Sequence, residues 1–242
     1  MGTKEEREDL TKRLRAFVKA VEDYELGETY RENGDYIKAL ECYMKAAEVN
    51  HPIALNNIGV IYMNGLIGER NYPLAIEYFK KAVTEKNAEA LINLGKCYLY
   101  GTEEYEEACK TFIAATEIES VAAEAHNKIG VMYFWGNNYK PALECFIKAY
   151  ELGYEDTYDL GLMYLYNYDN LTNNVEEGIR LLDKNAMERN DRDSSIELAL
   201  YFSENKDERA NKYIEKCKSI GIIDIEDRIQ RKLNGENINL YE

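Results

Sequence analysis

Ile58-Gly59-Val60-Ile61-Tyr62, followed by Ala75-Ile76-Glu77-Tyr78-Phe79, is the stretch from which the rest of this chain can be read. The first half is a short phrase: an apolar residue, Gly, two variable residues and Tyr. The second is an Ala with an aromatic four places later. The phrase stands also at Leu26-Gly27 with Tyr30, Leu94-Gly95 with Tyr98, Ile129-Gly130 with Tyr133 and Leu160-Gly161 with Tyr164, and in a worn copy at Leu198-Ala199 with Phe202. Successive phrase residues lie 32, 36, 35, 31 and 38 places apart. A unit in the mid-thirties has room for two helices and two turns, so the repeat decides the architecture before any single residue does.

Apolar residues recur at helical spacing in both halves of the unit, as in Leu55, Ile58, Tyr62 and again in Ala142, Phe146, Ala149. A Gly inside a helix costs about 1 kcal/mol relative to Ala, so five at one structural position imply close packing. The second phrase makes the same argument. Ala39, Ala75, Ala108, Ala142 and Ala210 precede Tyr43, Phe79, Phe112, Phe146 and Ile214, and Gly178 with Leu182 takes their place in the fifth unit. Small and large residues therefore mark a seam between the two helices of each hairpin.

At the N-terminal end, Leu10, Leu14, Phe17, Val21 and Tyr24 form an apolar stripe on a helix expected to run on into the first repeat. At the other end, Ile222, Ile225, Ile229 and Leu233 form a stripe that stops at Asn234-Gly235. This reads as a capping helix with its charged face outward, followed by a frayed segment from Glu236 to Glu242. The expected organisation is an N-terminal helix over 1–19, repeats over 20–220, and a capping helix and tail over 221–242.

The chain has 242 residues and a formal charge of -15, with few Gly and Pro. That balance argues against nucleic acid, which needs clustered Lys and Arg, and favours a neutral or basic partner. The opening Met1-Gly2-Thr3-Lys4-Glu5-Glu6-Arg7 lacks the apolar core of a signal peptide, and Glu6 stands where a myristoylation motif wants Ser or Thr. No run approaches the roughly 18 apolar residues of a membrane span. The expectation is a cytoplasmic protein without membrane attachment. Cys42, Cys97, Cys109, Cys145 and Cys217 fall inside repeat helices with no C-x-x-C pair, as reduced packing residues would.

The residues of the phrase resemble the tetratricopeptide repeat and its relative, the Sel1-like repeat. The first and fourth units, with 12 residues from Gly27 to Ala39 and from Gly130 to Ala142, resemble the shorter tetratricopeptide form. The second, with Tyr62-x-x-Gly65, is similar to the longer Sel1-like turn, and so is the fifth, where Asn167 stands in place of the turn Gly. The resemblance implies an all-α, right-handed superhelical solenoid of about six helix-turn-helix repeats. It also implies a concave groove lined by the first helix of each pair.

Carried over position by position, the residues one, four and five places after each phrase Gly face that groove. They are Val60, Met63 and Asn64; Lys96, Leu99 and Tyr100; Val131, Phe134 and Trp135; and Leu162, Leu165 and Tyr166. The row is mainly apolar and aromatic, the residue types that dominate interface cores. Each also has a second reading, as the far side of the seam closed by the next helix. Six places before the phrase residue stand Glu89, Glu124, Glu155 and Asp193. In the first turn of a helix such carboxylates favour the helix dipole, and along a groove they would select Lys or Arg in a ligand. The basic clamp by which some tetratricopeptide domains hold acidic chaperone tails is missing. Asn57 fits it, but Tyr24, Glu28, Glu89 and Asn93 occupy the other positions.

No catalytic constellation assembles. His51, before Pro52, and His126 lie two repeats apart, and no phosphate loop, nucleophile elbow or zinc motif occurs. The oxygen-rich run Asp169 to Asn174 reads as an extended hairpin turn. No enzyme activity, metal or cofactor is expected. The expected function is a protein-interaction scaffold that takes a partner's peptide or helix with apolar, and by charge basic, anchors. A self-assembling homo-oligomeric module and a repeat-type regulator or effector are the alternatives.

Overall fold

The structure, a computed structural model, describes residues 3–83 and 87–241. Met1-Gly2, the site of the acylation motif, and Glu242 lie outside the described residues. The fold is all-α, with no strand among the described residues. By compactness the chain divides into two units, residues 1–126 and 127–242.

In the first unit, α1 (Lys4–Glu32) and α2 (Tyr36–Ala47) form one hairpin, α3 (Pro52–Asn64) and α4 (Tyr72–Ala82) a second, and α5 (Glu89–Lys96) with α6 (Tyr105–Thr116) a third. The helix α7 (Glu119–Trp135) contains the division between the units. In the second unit it pairs with α8 (Tyr139–Glu151), α9 (Tyr158–Tyr166) with α10 (Val175–Glu188), and α11 (Arg192–Glu204) with α12 (Ala210–Ser219), before α13 (Ile225–Leu233). Several starts are set by side chains. Asp35, His51, Asn71, Asn174 and Asp191 each accept a hydrogen bond from the backbone of the first turn they precede, worth about 1 kcal/mol apiece.

The small residues sit where the repeat argument requires them. A Cβ added at Gly27, Gly59, Gly95, Gly130 or Gly161 would lie 2.5–2.7 Å from Tyr43, Phe79, Phe112, Phe146 or Leu182, all fully buried. Each phrase Gly thus receives the large residue of its own second helix, and Ala39, Ala75, Ala108 and Ala142 are likewise fully buried. In the worn sixth copy Ala199 and Phe202 are buried, and Phe202 stacks on Tyr213 at 5.4 Å.

Turn lengths are absorbed by special backbone. Gly65 ends α3 in the left-handed region (φ 66°), and Asn167 ends α9 there too (φ 47°), doing the work of the missing Gly. Between Gly95 and Ala108 lie 13 residues rather than 12. The extra residue is taken up by a π turn over Cys97–Gly101, which continues α5.

Successive first helices are also joined by polar side chains. In the first unit Asn57 donates to Glu28 (2.8 Å), Asn93 to Asn56 (3.1 Å), and Lys96 pairs with Glu124 (2.6 Å). In the second, Asn127 donates to Asp159 (3.1 Å) and the Tyr166 hydroxyl to Glu197 (2.6 Å). Such pairs satisfy polar groups that packing would otherwise strand.

The two ends differ from each other. α1 is one continuous helix, and Leu10, Leu14 and Phe17 of its stripe are exposed. At the other end Ile222, Ile225 and Ile229 are buried in the core shared with α11 and α12, while Leu233 is exposed. The segment after α13, expected to fray, is instead packed: Leu240 is 3 % exposed within that same core. Among the described residues no helix is long and apolar enough to cross a membrane.

Candidate functional site

In the first unit, Val60 and Met63 of α3 are half-buried and Asn64 is exposed. Lys96 is half-buried against Glu124. Leu99 is 2 % exposed, so it belongs to the core and not to a groove. The π turn widens the helix there, and both Tyr98 and Leu99 fall inward, while Tyr100 is 47 % exposed.

In the second unit, Val131 and Phe134 of α7 and Leu162 of α9 are half-buried. Trp135 and Tyr166 are 55 % and 37 % exposed. Leu165 is a second correction: at 3 % exposure it is core, because Gly178 brings α10 so close that a Cβ there would lie 2.6 Å from the Leu165 nitrogen. Phe134 stands edge-on to Tyr139 and Tyr168 with centroids 5.5 and 5.1 Å away, and those two rings stack at 4.9 Å. It is therefore part of an aromatic cluster in the hairpin turns, open on one side. The residue five places after the phrase Gly is the one exposed in every copy: Asn64, Tyr100, Trp135 and Tyr166.

The acidic row is less uniform than its spacing. Glu89 and Asp193 do lie in the first turns of α5 and α11. Glu124 lies deeper in α7 and is neutralised by Lys96, and Glu155 lies in the connection before α9, 3.7 Å from Arg189. Two of the four carboxylates thus have internal cationic partners. Glu28 is similarly occupied, accepting from the Tyr43 hydroxyl and from Asn57 and pairing with Arg31 (2.8 Å).

The residues that sequence reasoning missed are Glu197, Tyr168 and the segment Ile238–Tyr241. Burial pushes the Glu197 carboxyl above the ordinary range; the Tyr166 hydroxyl donated to it opposes this, and the charges of Glu204 and Asp193 add to it. A second phenol, that of Tyr241, also donates to Glu197. One signal was available. A polar residue recurs two places before the phrase residue, as Asn57, Asn93, Lys128, Asp159 and Glu197. Nothing in the repeat spacing could have placed the segment 238–241.

The buried thiols are inert: burial raises Cys97 to about 12 and Cys217 to about 11. His51 caps α3 and stacks on Tyr24 at 4.9 Å, with burial lowering its pKa. Among the described residues no group of three or more His, Cys, Asp and Glu is placed to hold a metal ion.

Comparison with known proteins agrees with this geometry. A model of the Sel1 repeat matches residues 52–87, 123–154 and 157–188, and a tetratricopeptide-repeat model matches 24–50 and 88–121. The fourth hairpin, whose 12-residue spacing suggests the tetratricopeptide form, is thus matched by the Sel1 model. A Sel1 repeat protein from Oxalobacter formigenes shares 24 % identity, with a TM-score of 0.67 over 85 % of this chain and 87 % of that one. A protective antigen of uropathogenic Escherichia coli displaying an SLR fold shares 24 % identity, with a TM-score of 0.66 over 90 % of this chain and 50 % of that one. Among curated proteins, intraflagellar transport protein 70A of Xenopus tropicalis is 34 % identical over 77 residues, which is 32 % of this chain and 12 % of that protein's length.

Proposed function

This chain belongs to the tetratricopeptide and Sel1-like repeat proteins, and on that premise we propose that it is a non-enzymatic scaffold binding a peptide or helix of a partner protein along its first helices. The observation that carries this reading is the exposure of large aromatic side chains at one repeat position, Tyr100 in the first unit and Trp135 and Tyr166 in the second. Trp and Tyr are the side chains that most often anchor interfaces, and half-buried Val131, Phe134 and Leu162 supply apolar surface beside them. Apolar and aromatic anchors lead the recognition. A basic anchor is supported at Glu89, Asp193 and Glu155, the last 88 % exposed and only 3.7 Å from Arg189, but not at Glu124, which Lys96 holds at 2.6 Å.

The test is selection from a library of displayed peptides, followed by affinity measurements on Trp135→Ala and Tyr100→Ala. Selected peptides should be rich in apolar and aromatic residues, and at least one of the two variants should lose about tenfold or more in affinity. Tight binders indifferent to both substitutions would contradict the assignment.

One observation favours self-association as a second reading. Leu10, Leu14, Phe17 and Val18 are exposed on one turn-to-turn stripe of α1, beside a cavity of about 400 Å³ that Val49 also lines. Light scattering over a concentration series decides it: a mass that rises for the native chain and not for Leu14→Glu supports association, and a constant monomer mass removes it.

A further inference from the structure

In the second unit a non-helical segment after α13 packs back on the body. Asn234 caps α13, Gly235 turns the backbone at a φ of +85°, and an Arg231–Glu236 ion pair (2.8 Å) fixes the reversal. The chain then runs back without helix over the end of α9 and the middle of α11. Its amides at Ile238 and Tyr241 bond within the segment, to Glu236 O and Asn239 Oδ1, both at 3.0 Å. What it gives the body is side chains. Leu240 enters the core beside Leu200, and the Tyr241 hydroxyl donates to Glu197 while Asn239 faces solvent.

The receiving surface joins one exposed repeat position, Tyr166, to two buried ones, Glu197 and Leu200. Tyr166 is the fifth residue after its phrase Gly, and Glu197 and Leu200 flank the phrase Ala199 of α11. Glu197 is buried, and its carboxylate takes one phenol from the body, Tyr166, and one from the segment, Tyr241. The segment does not fill the space: a cavity of about 350 Å³ remains beside it, walled on the body side by Tyr166, Tyr168, Glu197, Leu200 and Lys232.

We infer that this surface of the second unit is a peptide-binding site, that Ile238–Tyr241 is its resident ligand, and that a partner enters as a segment of apolar-x-Leu-Tyr pattern which displaces it. The inference rests on the scaffold reading above and gives it a ligand chemistry. The Leu is required by the core position that Leu240 fills. The Tyr is required because Glu197, buried as it is, loses a donor when Tyr241 leaves. A tethered ligand competes at an effective concentration in the millimolar range, so the resident segment sets a threshold that a partner must exceed.

The experiment uses the full chain and a fluorescently labelled peptide spanning Asn234 to Tyr241. Leu240→Asp should evict the resident segment and bind the peptide about tenfold or more tightly than the native chain does. Adding Glu197→Ala should abolish that gain. A folded Leu240→Asp protein that binds the peptide no better than the native chain overturns the inference, and makes the segment a fixed cap. Should Leu240→Asp fail to melt cooperatively, Leu240→Ala gives the same readout with a gain of about threefold, and its absence in a folded protein is equally decisive. If this peptide fails while library peptides remain sensitive to Trp135→Ala, only the resident-ligand inference falls; if both fail, the scaffold reading falls with it.

Discussion

Gly95 shows how a single hydrogen can carry a repeat. A Cβ there would stand 2.5 Å from the Phe112 ring, which is fully buried and cannot swing away. Gly95→Ala gains about 1 kcal/mol in helix propensity. It is nonetheless expected to lower stability by about 1–3 kcal/mol through overpacking. Denaturant melts of the single variant and of Gly95→Ala with Phe112→Leu check this, since the smaller partner should recover most of the loss. Ala75→Leu, at a fully buried seam position, should cost about the same. Glu197 offers a test by pH. Its folded pKa is raised by burial, so its contribution is fully present below the unfolded-chain value and is lost as pH rises through the folded value. The stability of the native chain relative to Glu197→Gln should therefore be greatest below the unfolded-chain value of about 4.3 and shrink as pH rises above it. An advantage that grows with pH would show that the carboxylate is stabilised as an anion.

The elements vary around one hairpin, and the variations sit where the spacing changes. Asn167 ends α9 in the left-handed region, and its Oδ1 accepts from the Thr172 amide at 2.8 Å. Asn167→Ala keeps the strained backbone and removes the acceptor, so a loss of about 1–2 kcal/mol is expected in a urea melt. An unchanged midpoint would mean that the turn relaxes into another conformation. The hairpins themselves were legible in the sequence because small and large residues pair within one unit, as Gly95 does with Phe112. The inward fall of Leu99 was not. A spacing of 13 shows that a residue has been added, but the choice between a longer turn and a π turn depends on how tightly the next helix packs. Leu165 escaped for a related reason: it is buried by Gly178 of α10, a contact that the pattern of its own helix cannot contain.

For the molecule, the phrase assigns faces: small residues to the seam, polar pairs between first helices, and Tyr100, Trp135 and Tyr166 to the surface. The acidic row looked like one feature in the sequence because Glu89, Glu124, Glu155 and Asp193 share a register. Side-chain partners divide it, since Lys96 and Arg189 lie outside that register. The packed segment 238–241 was illegible because it carries no repeat, only a Leu and a Tyr whose receptors lie some forty residues earlier. Binding along the first helices has a direct test. The measurement is hydrogen exchange of the full chain with and without a library-selected peptide. New protection is expected in α3, α5, α7, α9 or α11. Protection confined to the second helices α4, α6, α8, α10 and α12 would contradict it.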